Sequence, residues 1–169
     1  ALDATIRAQI LELIRNLAAT TGTAVLLITH DLGVVNAIAD RVAVMYAGQI
    51  VEEGTREELL GRPRHPYTQG LLRSIPRPEA RGTRLEEIKA AVPRPGQWPA
   101  ACRLHPRCPQ AFERCRSEAP ARSGGSPTQG AWCHLVEQEA RPRAIEQAGQ
   151  FVLQLSLFCT WMRFSPSTP

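Results

Sequence analysis

Four cysteines, Cys102, Cys108, Cys115 and Cys133, stand in the pattern C-x5-C-x6-C-x17-C. Four thiolates close the coordination shell of a tetrahedral zinc ion or hold an iron–sulfur cluster, because soft sulfur ligands match these metals. Pro106, Pro109 and Pro120 fix the turns between them, and the C-x2-C knuckle of structural zinc sites is absent. The longer spacing suits a cluster whose irons are separated in space, with zinc and reduced, unliganded thiols as open alternatives. His105 and His134 flank the set and could substitute as ligands, although both are expected on the surface. Far upstream, His30 ends the apolar run Ala24 to Ile28. A short strand that delivers a histidine at its C-terminal end places a polar group at the edge of an α/β sheet, where ligands bind; the ligand expected here is a phosphate.

The elements that must position these residues are legible from periodicity. Ala4 to Ala19 carries Ile6, Ile10, Leu13, Ile14 and Leu17 at the spacing of an amphipathic helix with one buried stripe. Ala24 to Ile28 is a continuous apolar run, the pattern of a strand covered on both faces in a parallel sheet. Leu32 to Ala39 predicts a second helix with Asp31 as its cap. Arg41 to Tyr46 and Gln49 to Glu53 predict two strands around an Ala47-Gly48 hairpin turn. Thr55 and Glu58 have capping-box spacing for a short helix ending near Gly61. From Arg62 onward prolines punctuate the chain, leaving brief helical stretches at Tyr67 to Ser74 and Leu85 to Ala91. Ser123 to Pro127 is expected to be a flexible loop. Proline after His65 favours an extended residue before a helix start, and Pro66 fits the first turn.

These segments resemble the ATP-binding subunits of ABC transporters. Ile28-Thr29-His30-Asp31-Leu32, preceded at the expected distance by Ala1-Leu2-Asp3, is similar to the switch-histidine loop and the D-loop. Arg64-His65-Pro66-Tyr67-Thr68 and the four cysteines narrow the resemblance to the oligopeptide/dipeptide uptake class, over roughly residues 1–135. The resemblance implies that His30 contacts the γ-phosphate and helps orient the attacking water, a positioning role that phosphoryl transfer rewards. It places Asp3 at the interface of an ATPase dimer, where a helix N-cap is the alternative. It implies ATP and Mg2+ for the intact protein and a [4Fe-4S] cluster on the cysteines. The implied partners are a paired ATPase subunit, transmembrane permease subunits and, indirectly, a peptide-binding protein. The implied location is the cytoplasmic face of the membrane. His65-Pro66-Tyr67 introduces the extension of this class and is assigned no chemistry.

No G-x-x-x-x-G-K-[ST] loop occurs in the sequence, so no lysine-bearing nest is present to cradle the β- and γ-phosphates. In the family that loop, the signature sequence and the catalytic glutamate lie upstream of the segment matched by Ala1. The chain is therefore expected to be a fragment without ATPase activity of its own. The fold expected is α/β: the C-terminal part of a P-loop-type nucleotide-binding domain at 1–61, a small irregular cysteine-containing accessory region at 62–135 and a tail of unknown structure at 136–169. Within the tail, Phe151 to Met162 suits an edge strand or a short interfacial helix, with Cys159 a bystander.

Charge is uneven. Residues 1–60 carry four basic and eight acidic side chains, and residues 61–122 carry thirteen and five. An arginine-rich surface near a membrane partner accounts for this. Nucleic-acid binding lacks a recognition helix or RNA-binding aromatic motif, and no nucleic-acid partner is expected. The apolar run Phe151 to Met162 is twelve residues long, too short for a bilayer that needs about twenty. No secretory signal opens the chain, and a cytoplasmic setting makes disulfides an unexpected use of its cysteines. Two rival readings remain: a stand-alone metal- or cluster-binding regulatory module resting on residues 95–135, and the same ATPase type serving nickel or another solute.

Overall fold

A computed structural model describes residues 4–75, 88, 90–124, 126–140 and 159–162. The chain order is α1 (Ala4–Thr21), β1 (Val25–Ile28), α2 (Leu32–Ile38), β2 (Arg41–Tyr46), β3 (Gln49–Thr55), α3 (Arg56–Gly61), α4 (Pro66–Arg73), α5 (Arg114–Ser117), β4 (Arg122–Ser123), β5 (Gly130–Trp132), α6 (His134–Ala140) and β6 (Cys159–Met162). Six strands form one sheet in the order β1-β6-β2-β3-β5-β4, and every neighbouring pair is antiparallel.

The expectation of a parallel sheet needs correcting on this point. Both β1 and β2 pair antiparallel with β6, so they run in the same direction with α2 as the crossover, but they do not pair with each other. The tail strand sits between them, with Leu27 opposite Thr160 on one side and Val42 opposite Thr160 on the other. It is thus an inner strand rather than an edge strand or a surface helix. Residues 151–158 of the same apolar run, and most of the predicted helix at 85–91, lie outside the described residues. Nor is β1 covered on both faces: Leu26 and Ile28 are about half exposed, while Val25 and Leu27 pack with Val34, Ile38 and Leu11.

Most of the stripe predicted to be buried on α1 is open as well, Ile14 alone of its five residues being half-buried. Leu13 is 67% and Leu17 61% exposed, and Ile6 and Ile10 are exposed too. The helix meets the described chain through Leu11 and the buried Ala18 instead. Periodicity identified the helix correctly, but it reports only that an apolar stripe exists, not that these residues supply its cover. Among the described residues no helix is long and apolar enough to cross a membrane.

The β2–β3 hairpin agrees closely with the pattern. Tyr46 pairs with Gln49 across Ala47-Gly48, both at positive φ (48° and 80°), the conformation of a two-residue hairpin turn. A side chain at position 48 would also strike the Trp98 ring, 2.8 Å from the ideal Cβ. The capping box is present in both directions: Thr55 Oγ1 accepts from the Glu58 main chain, and Glu58 Oε2 accepts from the Thr55 N–H. Ser126 and Thr128 then donate their hydroxyls to Glu58 Oε1, so this part of the expected flexible loop is anchored.

The main core gathers Val35, Ala39, Val42, Val44, Tyr46, Val51 and Leu59 with Leu104 from the cysteine region. Within residues 62–135, Ala131 and Cys133 form a second small buried cluster with Leu135 and Val136. Leu104 enters the main core with Cys102 and Cys108 packed against it, and β5 extends the sheet beside β3. Arg103 stacks over Trp98 and donates to the Ala47 carbonyl, while Arg107 donates to the Tyr46 hydroxyl and the Ile88 carbonyl, fastening this region to the hairpin.

Candidate functional site

His30 follows β1 with Thr29 between them and is exposed, in a bend fixed from both sides. On one side the Asp31 N–H donates to Thr29 Oγ1 at 3.0 Å. On the other, Asp31 caps α2 as expected, its Oδ1 accepting from the N–H groups of Gly33 and Val34 at 2.9 and 3.3 Å. Those main-chain donors, the Val34 N–H above all, together with the Arg7 guanidinium 2.8 Å from Oδ2, hold the Asp31 carboxyl below its usual range against the opposing effect of burial. Arg7 thereby ties α1 to the bend. The histidine is presented to solvent on a short, hydrogen-bonded support, an arrangement suited to contacting a ligand at the strand end. Asp3 lies outside the described residues.

A second polar centre went unnoticed in the sequence. Glu52 is fully buried in β3 and accepts three hydrogen bonds: from the Arg64 N–H (2.7 Å) and Gln129 Nε2 (3.2 Å) on Oε1, and from the His65 N–H (3.0 Å) on Oε2. It holds the turn that starts α4. His65 caps that helix through Nδ1, which accepts from the Tyr67 N–H at 3.1 Å, and Pro66 occupies the first turn as its sequence position predicts. The role of His65 is structural, in line with its assignment of no chemistry.

Burial pushes the His65 pKa down to about 4, from an ordinary 6.5. The folded chain therefore refuses a proton that the unfolded chain accepts. The stability this contributes is fully present above about pH 6.5 and is lost as pH falls toward 4, roughly 3 kcal/mol over the window. His65→Asn keeps a capping oxygen and removes the titration. Urea unfolding at pH 7 and pH 4.5 should show a smaller pH-dependent loss for that variant than for the parent chain. Equal losses would mean that His65 does not carry the dependence.

The four cysteines are brought into one neighbourhood, all as free thiols; Cys115 and Cys133 are buried, Cys102 and Cys108 partly so. Burial pushes the thiols of Cys102, Cys108 and Cys133 upward, and the charges of neighbouring thiols push the same way. Main-chain N–H groups pull in the opposite direction: those of Leu104 and His105 at Cys102, Gln110 at Cys108, and Val136 and Leu135 at Cys133. Burial outweighs these donors, so the net direction for the three thiols is upward, which favours their protonated form. As the side chains stand, no group of three or more His, Cys, Asp or Glu among the described residues is disposed to hold a metal ion.

His105 is partly buried and its Nδ1 lies 2.9 Å from the Cys102 carbonyl. His134 is 1% exposed, which corrects the expectation of a surface residue. The sequence signal was its place between Cys133 and the apolar pair Leu135-Val136, of which Val136 is buried with Cys133.

Residues 51–115 match the family described as the oligopeptide/dipeptide transporter C-terminal region. The chain is 48% identical over 139 residues to the oligopeptide transport ATP-binding protein AppD of Bacillus subtilis, covering 82% of this chain and 42% of that protein. It is 50% identical over 120 residues to the dipeptide transport ATP-binding protein DppD of Haemophilus influenzae, covering 71% of this chain and 36% of that one. The DppD of Bacillus subtilis is 45% identical over 140 residues. The chain spans about two fifths of the length of the curated relatives it matches. With this C-terminal region and this likeness over most of its length, the chain belongs to the oligopeptide/dipeptide family of ABC transporter ATP-binding subunits.

Proposed function

We propose that the chain is part of the ATP-hydrolysing subunit that powers the import of oligopeptides or dipeptides across the cytoplasmic membrane. The observation that carries this reading is His30, exposed on a capped bend at the end of β1, in a chain whose residues 51–115 match the transporter C-terminal region. The residues present hold no phosphate loop, so ATP and Mg2+ would be bound by groups outside this chain, and the chain alone does not hydrolyse ATP. Its contribution is the His30 imidazole, set to meet the γ-phosphate and the attacking water when the strand end closes on bound nucleotide. Asp3 serves at the interface with a paired ATPase subunit. The assembly works at the cytoplasmic face with transmembrane permease subunits, and with a peptide-binding protein indirectly. The names of the relatives support the peptide as cargo over nickel or another solute. The stand-alone regulatory module is disfavoured by a sheet that continues from β1 into β4 without a break. Uptake of a labelled peptide by vesicles holding the full-length subunit and its permease tests the proposal. ATP-dependent accumulation of a dipeptide or oligopeptide is expected, and uptake of Ni2+ with no peptide transport would overturn it.

Cys102, Cys108, Cys115 and Cys133 would hold a [4Fe-4S] cluster, with zinc as the alternative. When bound, such a group supplies cross-links and a redox-sensitive centre; it is remote from hydrolysis in role. The chain's own part is to aim main-chain N–H groups at the sulfurs and to pack Cys102 and Cys108 against the main core. Anaerobically purified chain is expected to be brown, with broad absorption near about 400 nm, and Cys108→Ser should bleach it while leaving the His30 bend intact. Colourless protein with one equivalent of zinc from iron-replete cells would decide for zinc.

A further inference from the structure

His30 is exposed, so its ring is aimed by the main chain beneath it more than by packing around it. That main chain is fastened where Asp31 caps α2, and the placement of α2 therefore sets the placement of the bend. The helix is seven residues long and lies on apolar support: Val34 and Ile38 pack with Leu11, Val25 and Leu27, and Val35 enters the main core. Such contacts are non-directional. They hold α2 down without fixing where it stands along its own axis.

Two arginines of α1 supply the missing direction. Arg7 donates through Nη1 to Asp31 Oδ2 at 2.8 Å, at the start of α2, while Arg15 donates through Nη2 to the Ala37 carbonyl near its end. Arg56, from α3, donates to the Asn36 carbonyl at 3.2 Å. Arg7 and Arg15 are about 12 Å apart along α1, and Asp31 and Ala37 about 9 Å apart along α2, so the helices are gripped start to start and end to end. Sliding α2 would break a grip. The three contacts serve different ends, however. Arg15 and Arg56 satisfy carbonyls of the last turn, which have no partner within the helix. Arg7 instead reaches the residue beside His30. Asp31 divides its oxygens, Oδ1 accepting from the Gly33 and Val34 N–H groups and Oδ2 from Arg7, which fixes the carboxylate in rotation and steadies the main chain next to His30.

We propose that Arg7 is a positioning residue for hydrolysis: by holding Asp31 Oδ2 it fixes the bend and keeps the His30 imidazole aimed at the γ-phosphate. This role rests on the reading of His30 under the proposed function. The side chains of Arg7 and Asp31 are 48% and 36% exposed. Water screens such a pair, so the effect expected on turnover is about fivefold, the ceiling for an exposed ion pair and smaller than the loss expected of His30 itself. Arg7→Met keeps the stem and removes the charge. Asp31→Asn keeps a capping oxygen and turns an amide NH2 toward the guanidinium. Arg7→Lys restores the charge without the planar fork.

The test uses the full-length subunit assembled with its permease. Arg7→Met and Asp31→Asn should each lower kcat for ATP about fivefold with KM nearly unchanged, their combination should be no worse than either alone, and Arg7→Lys should recover about half of the loss. The decisive arm places Arg7→Met in the His30→Ala background, where a residue that acts through His30 has nothing left to act upon and no further loss is expected. An equal loss in both backgrounds overturns the role, since Arg7 would then serve the fold or another group. Parent-like turnover of Arg7→Met beside a defective His30→Ala removes the role of Arg7 alone, whereas parent-like turnover of His30→Ala removes the reading of His30 as well. Amide hydrogen exchange of the present chain adds a readout without nucleotide: the Gly33 and Val34 N–H groups should exchange about threefold faster in Arg7→Met and return toward the parent rate in Arg7→Lys. Unchanged exchange in Arg7→Met would contradict the hold on the bend.

Discussion

Glu52→Ala should lower the unfolding free energy of the chain by about 4 kcal/mol, the largest stability effect expected of a single polar substitution here. The carboxylate is fully buried, and its removal strands the N–H groups of Arg64 and His65 and the Gln129 amide without their acceptor. Each stranded donor costs about 1–3 kcal/mol, and the alanine cavity adds to it. Glu52→Gln keeps the shape but turns an amide NH2 toward one of the same N–H groups, so about half the loss should remain. Urea midpoints for both variants decide the point, and values within about 1 kcal/mol of the parent for both would show that the turn before α4 does not depend on Glu52.

Why Glu52 escaped notice in the sequence is instructive. In Gln49 to Glu53 an acidic residue on a strand reads as solvent-facing, and nothing local says otherwise. The need for an acceptor arises from Arg64 and His65, a dozen residues onward, whose main-chain donors lie ahead of a helix and have no partner within it. Local chemistry, by contrast, was readable: the Asp31 cap, the Thr55–Glu58 box, Pro66 in the first turn of α4 and the Ala47-Gly48 turn are each set by interactions within four residues. The strand context was not. The run Ala24 to Ile28 announces a strand, but its neighbour is fixed by pairing with residues 159–162, and no period in the sequence links segments so far apart. The α1 stripe fails for the same reason, since amphipathicity names a face and leaves its cover unnamed. For the candidate site, residue type and neighbouring motif singled out His30 and the four cysteines. The buried His134 was placed wrongly because its partner, the Glu118 carbonyl, is a main-chain group with no signature.

The second large effect concerns hydrolysis. In the full-length subunit assembled with its transporter, His30→Ala should leave ATP binding nearly intact and cut turnover by about tenfold to a thousandfold, as the loss of a contact made chiefly in the transition state does. The bend that carries it is held by Thr29, Asp31 and Arg7 rather than by the imidazole, so the substitution should not disturb the support. The most direct measurement is therefore paired: nucleotide affinity and the steady-state rate of ATP hydrolysis for parent and His30→Ala assemblies in the same membranes. Unchanged affinity with a turnover reduced at least tenfold is the predicted result, and near-normal hydrolysis by the variant would contradict the assignment of His30.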